Sequence, residues 1–334
     1  MRFLSIVTGL ALAAAGSLPL ALAAPQGAGS DVEIAVTSPA QQQAPGYYRF
    51  KLGELTITVL SDGTAAIPWD EILKGMSPEE IQATFEKVGE TTRRDTSINA
   101  FLIDTGSRRI LIDAGAGALF GACCGRLPTV LQQAGYPAET IDAVLLTHVH
   151  GDHSGGLTVA GERVFPNADI YLSQAEYDYW MSDDERARAG ESHKKMFAEG
   201  RAALAPYEAA GRLHFFTGET ALFPEITAIP APGHTPGHSF YRIASQGQHV
   251  LVVGDIIHAA EVQFARPDVT ADFDADPAQA RATRERTLAE LAETHELIAA
   301  EHVTFPGLGH VTQNGSGYQW TAQPYQGRIT KAAK

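Results

Sequence analysis

The stretch LLTHVHGDHSGGL, residues 145–157, packs three histidines and an aspartate into six positions directly after an apolar run, in a chain with only 12 histidines. On extended backbone, residues i and i+2 point the same way, so His148 and His150 can reach one ion together. Gly151 lets the chain turn sharply, so that Asp152 and His153 face a second position beside the first. The Gly155-Gly156 pair lets the backbone and the next helix approach closely. Imidazole and carboxylate donors at this spacing suit zinc or another divalent first-row metal. The competing reading is a polar loop carrying surface histidines.

Two further pieces argue against that competitor. APGHTPGH, residues 231–238, sets His234 in a loop shaped by proline and glycine after a strand, and VLVVGD ends an apolar run on Asp255. Each repeats the logic of LLTH: a buried strand delivers a donor at its C-terminal end. Taken together these donors complete two coordination spheres.

The rest of the chain supplies those strands. YYRFKLGELTITVLSDGTAAIP alternates and is β-branched, with GE and SDG as turn signals. Ser77 caps a helix to Val88, with Glu80 completing a capping box. NAFLIDTG and RRILIDAGAG read as two strands about a tight GSR turn. Leu127 to Ala134 is a helix ending at Gly135, DAVLLTH is a fully apolar and hence buried strand, and DIYLS leads into a helix over Gln174 to Met181. A longer helix covers about Ser192 to Ala210. LHFF, ITAIPA, SFYRI and HVLVVGD read as strands, Pro277 to Glu296 as a helix, and LIAAEH as a last strand. Helices interrupt the strands without strict β-α alternation, so two packed sheets with helices outside, an αββα sandwich of the α+β class, fit better than a doubly wound sheet.

The first 23 residues, MRFLSIVTGLALAAAGSLPLALA, combine Arg2, a short apolar run and Ala21-Leu22-Ala23, the pattern of a signal-peptidase site. The expectation is cleavage after Ala23, export to the periplasm or medium, a flexible leader over residues 24–45, and one domain over 46–334. No later stretch has the length and apolarity of a membrane span. Losing Arg2 moves the formal charge from -14 to -15. That balance repels phosphate backbones and anionic headgroups, which argues against nucleic acid or a membrane surface as partner and for a small neutral substrate. Cys123 and Cys124 are the only cysteines. A strained vicinal disulfide and an intermolecular bridge are possible, but two small buried thiols in FGACCGRL is the preferred reading.

THVHGDHSGG, GHTPGH, the VVGD aspartate and a late AEH resemble the metallo-β-lactamase superfamily, over about Asn99 to His310. More closely, APGYYRFKLGELTITVLSDGT, GYPAETIDAVLLTHVHGDHSGGL and LIAAEHVTFPGLGH resemble methyl parathion hydrolases and their lactonase and aryl-esterase relatives. The resemblance implies that His148, His150 and His234 hold one metal and Asp152, His153 and His302 a second, with Asp255 bridging. His302 is preferred to His310, which becomes a neighbour or turn residue, and His238 is expected to support the ligands rather than bind. The cofactor expected is a pair of divalent ions, Zn2+ first, with Mn2+, Co2+ or Fe2+ as alternatives. Homodimerisation is likewise implied only by the relatives.

Two such ions share one water and lower its pKa toward neutrality, giving a bridging hydroxide that attacks a carbonyl or phosphorus. No cysteine occupies the Asp255 position, unlike in β-lactamases of that superfamily that use a cysteine ligand there. The resemblance points to Phe120, Trp180 and Phe197 as aromatic walls, though Trp180 on its short helix fits a core role equally. His258, Phe273 and Ile72 stand where the methyl parathion hydrolases are expected to carry an apolar residue, Leu and Arg. These departures favour the lactonase and aryl-esterase relatives. His258 is a candidate for orienting substrate or protonating the departing alkoxide. The function expected is lactone opening or aryl-ester cleavage, with phosphotriester hydrolysis as main or side activity. The alternatives are an acyl-homoserine lactonase or a glyoxalase-II-like thioesterase.

Overall fold

Strand alternation decides the architecture of the computed structural model, which describes residues 43–44 and 46–329. The proposed signal peptide and nearly all of the 24–45 leader lie outside the described residues. Seven strands form a first sheet: Tyr47–Leu52 (β1), Leu55–Pro68 (β2), Arg93–Asp104 (β3), Arg109–Ile112 (β4), Ala143–Leu145 (β5), Asp169–Ser173 (β6) and Leu213–Phe216 (β7). A second sheet holds Thr220–Phe223 (β8), Ile226–Pro230 (β9), Ser239–Ser245 (β10), Gln248–Val252 (β11), Leu297–Ala299 (β12), Leu308–Asn314 (β13) and Gly317–Ala322 (β14). In both sheets the strands lie side by side in chain order. The first runs antiparallel through β1–β4 and parallel from β4 to β7. The second is antiparallel except where β11 pairs parallel with β12.

Side chains alternate between layers along each strand. Ile110 and Ile112 of β4 enter a shared core with Tyr241, Ile243, Val250 and Val252 of the second sheet, while Leu111 between them faces the other way, toward Leu127, Val130 and Trp180. Leu251 and Val253 likewise turn outward onto Leu288 and Leu291. The helices on the first sheet's outer face include Leu127–Gln133 (α2), Gln174–Met181 (α3) and Glu191–Ala209 (α4), and Pro277–Thr294 (α5) covers the second. Pro78–Glu86 (α1) begins at Ser77 with both halves of the capping box formed. The layers are therefore α, β, β, α. Truncating a fully buried side chain such as Leu111 is expected to cost about 2–5 kcal/mol. From Ala44 onward the chain clusters as one compact unit. Among the described residues no helix is long and apolar enough to cross a membrane.

Three local expectations are corrected. The SDG stretch is not a turn: β2 runs on through it, and the register shifts between Ser61 and Gly63 as a bulge. LIAAEH is not the last strand, because the antiparallel pair β13 and β14 follows it. The two cysteines are free and differ in setting: Cys124 is buried against Ala65, Ile98 and Ala116, but Cys123 is exposed at the end of a short turn, its thiol donating to the Phe120 carbonyl at 3.3 Å.

Candidate metal centre

Four loops, each following the C-terminal end of a strand, converge at one side of the sandwich. The loop after β5 carries His148, His150, Asp152 and His153; His150 begins the turn Gly151–Ser154 on which the latter two sit. His234 follows β9, Asp255 follows β11 and His302 follows β12. Close approach needs glycine here: Gly254 has φ +52°, and a Cβ on it would meet the ring nitrogen of His238.

The donor atoms fall into two groups, His148, His150, His234 and Asp255, and Asp152, His153 and His302, each with its donor atoms within 4.8 Å of one another. Asp255 reaches both. Its Oδ2 lies 3.2 Å from His234 Nε2 and 3.6 Å from His148 Nε2, while Oδ1 lies 3.1 Å from Nε2 of both His153 and His302. All seven residues are buried except Asp152, which is partly exposed. All seven residues expected as ligands therefore meet.

The surrounding hydrogen bonds aim the imidazoles. Nδ1 of His153 donates to Asp113 at 2.7 Å, that of His234 to Asp274 at 2.9 Å, and that of His302 to the Ser97 carbonyl at 2.9 Å. Nδ1 of His148 lies 3.0 Å from Thr147 Oγ1. Each ring is thereby fixed with Nε2 turned to the centre, as supporting carboxylates and carbonyls do for metal-bound histidines. His238 matches its expected supporting role: Nδ1 donates to the Ala231 carbonyl, and Nε2 accepts from the backbone N–H of Asp255, both at 3.0 Å. His310 is neither a neighbour nor a turn residue; it sits on β13 with Nδ1 on the His295 carbonyl.

This cluster fits a pair of divalent cations. His153 Nε2 and Asp255 Oδ1 are buried with no hydrogen-bond partner, and the nitrogens of His148 and His234 both face His150 Nδ1 at 3.0 Å. Imidazole lone pairs turned on one another in a buried site are what a cation resolves. The electrostatics agree. Burial, together with the neighbouring His153, holds His148 well below the usual histidine range, and burial with His234 does the same to His150. Burial also opposes charge on His234, but the Asp255 and Asp274 carboxylates lift it to about 9.

The centre opens into a cavity of about 130 Å³ whose apolar wall includes Ala65, Ile67, Trp69, Ile98, Phe120 and Met196. Phe273 and His258 line it too, their rings 4.9 Å apart. Three wall expectations are corrected. Trp180 and Phe197 are buried and pack tilted against each other one layer behind His150, and the Trp180 N–H is drawn inward to Glu176 at 2.6 Å. Ile72 does not line the cavity; it packs against the cluster of Trp69, Leu73 and Ile81 behind the wall. His258 is placed between cavity and centre, its Nε2 3.2 Å from Asp255 Oδ2. Burial presses it down to about 4, against the pull of Asp255, so at neutral pH the ring is uncharged and supplies no imidazolium.

Sequence reasoning missed Asp113, Glu176 and Asp274. Asp113 ends β4 much as Asp255 ends β11, with φ 59°, and accepts from the N–H and hydroxyl of Thr147 at 2.8 Å. The run ILIDAGAG carried that signal. Glu176 and Asp274 left none, because only the fold brings them to the ligand loops.

The chain is similar to known proteins in sequence and fold. It is 33% identical to the crystal structure of hydrolase AbOPH in beta lactamase superfamily, with TM-score 0.81, covering 85% of this chain and 100% of that one. Against AidC, a dizinc quorum-quenching lactonase in complex with a homoserine product, the values are 28% and 0.79, covering 84% and 98%. YobT of Bacillus subtilis is 30% identical over 158 residues, 47% of this chain. The chain spans 61% and 49% of the first two curated relatives it matches. The profile of the Metallo-beta-lactamase superfamily matches residues 93–302, and the chain belongs to that superfamily.

Proposed function

We propose that the protein is a dinuclear metal-dependent hydrolase that opens lactones or cleaves aryl esters, with phosphotriester hydrolysis as a main or side activity. One observation carries the reading: a seven-donor centre forms the floor of a small, largely apolar cavity. His148, His150 and His234 would hold one cation, Asp152, His153 and His302 the other, and Asp255 offers an oxygen to each. When bound, such a pair supplies Lewis acidity and a water activated near neutral pH.

The protein's own residues do the rest. Asp113, Asp274 and the Ser97 carbonyl keep Nδ1 protonated on His153, His234 and His302. His258 orients Asp255 from the cavity side. Trp69, Phe120 and Phe273 shed water from the acyl or aryl part of a substrate and hold it against the centre. In the described lining Thr96 offers the one hydroxyl side chain, and its oxygen accepts from Trp69 Nε1 at 3.2 Å. The described lining holds neither serine nor cysteine, which disfavours a covalent acyl-enzyme route. The proposal includes export after cleavage behind Ala23 and association as a homodimer.

A second reading, acyl-homoserine lactonase, is favoured by the likeness to AidC over nearly its whole length. The test is a parallel assay of dihydrocoumarin, an acyl-homoserine lactone, paraoxon and S-lactoylglutathione on one metal-loaded sample, before and after chelation. Chelator-sensitive turnover of a lactone supports the proposal; turnover of the thioester alone, or of none, overturns it.

A further inference from the structure

The described lining of the cavity carries one charge that the metal centre does not use. Glu199, on α4, lines the cavity with its side chain 14% exposed, and its Oε2 lies 3.5 Å from where a Cβ on Gly151 would stand, between the ligands His150 and Asp152. Its other oxygen meets Lys195 Nζ at 3.1 Å, one helical turn back, but that lysine is 74% exposed and well hydrated. The other two carboxylates of the lining, Asp152 and Asp255, belong to the donor set, and the imidazoles facing them are those of His150, His258 and His302. The described lining holds neither lysine nor arginine. An anionic group on a bound molecule, away from the scissile bond and the metal centre, therefore meets a half-buried carboxylate whose one paired cation, Lys195, lies outside the described lining.

We propose that Glu199 sets the charge selectivity of the cavity, admitting ester or lactone substrates that are neutral or cationic at their far end and rejecting those with a distal carboxylate. The inference rests on the hydrolase reading above and names its substrate class. It also bears on turnover. Hydrolysis of a neutral ester adds water across the acyl–oxygen bond, leaving an alcohol and an acid that ionises, so a neutral molecule enters and an anion forms in a cavity that Glu199 lines.

The experiment uses the metal-loaded full chain and three p-nitrophenyl esters whose acyl chains end in a methyl, a carboxylate or a trimethylammonium group. In Glu199→Gln the ratio of kcat/KM for cationic over anionic ester falls, on the order of tenfold at low salt and less at high salt. Lys195→Gln, which unmasks Glu199, moves the same ratio the opposite way. A structural role for Glu199 moves all three esters together, and that result, or an unchanged ratio, overturns the proposal. Should no ester turn over, only the aryl-ester part of the hydrolase reading fails, and the lactone assay above decides the rest. The inference is then read in chelated protein from tryptophan fluorescence, with phenylacetate and phenethylammonium as probes: Glu199→Gln must strengthen the anion and weaken the cation, and equal shifts or none overturn it.

Discussion

Asp255 is held by its backbone as well as its carboxylate: its N–H donates to His238 Nε2 at 3.0 Å, and His238 is in turn anchored through Nδ1 to the Ala231 carbonyl. Burial, then the charge of His234, press that ring down to about 3, so it stays a neutral acceptor across the working pH range. His238→Ala removes the anchor without removing a donor to either ion. Metal affinity is expected to fall about 10–100-fold, read by competition with a chromophoric chelator. His310→Ala, remote on β13, is expected to leave it unchanged.

The metal-free centre should carry protons that loading displaces. Against the effect of burial, Asp255 and Asp274 raise His234 to about 9, and Asp255 and Asp113 raise His153 well above the usual range. A raised pKa means the proton stays until pH passes it, so at pH 7.5 His234 is charged and must deprotonate to bind. Zinc binding at pH 7.5 is expected to release about one proton or more per chain, measured by calorimetry in buffers of different ionisation enthalpy, and fewer above pH 9. Release near zero at pH 7.5 contradicts the assignment of these rings.

The corrected walls separate two aromatic roles. Phe273→Ala is expected to raise KM for an aryl ester severalfold, since the ring lines the cavity beside His258. Trp180→Phe deprives Glu176 of a donor at 2.6 Å; the carboxylate, pushed up by burial, is otherwise held by the N–H groups of Val149 and Gly237 and the hydroxyl of Thr235. The expected result is a stability loss of about 1–3 kcal/mol in denaturant unfolding with KM little changed. A KM effect at Trp180 with stability intact would restore it to the wall.

Six of the seven donors were legible because short apolar runs lead into THVHGDH, APGH and VVGD, whose donor spacing encodes geometry, whereas His302 came from the family resemblance of AEHVTFP. The paired β13 and β14 were not, because VTQNGSGYQW is polar, half exposed and lacks a clean alternation. Trp180 and Phe120 look alike as aromatics in sequence. Which one faces the cavity depends on Glu176 drawing the indole inward, a contact that no local pattern announces. Asp274 reaches His234 across 40 residues of chain, and Glu176 reaches Thr235 across 59.

Seven side chains grouped about the one carboxylate of Asp255 set a stoichiometry of two ions per chain. Elemental analysis after loading with zinc and desalting tests it directly, in the wild type and in Asp255→Ala. The account predicts two ions per chain in the former and loss of both in the latter; one ion or fewer in the wild type, or two retained without Asp255, would contradict it.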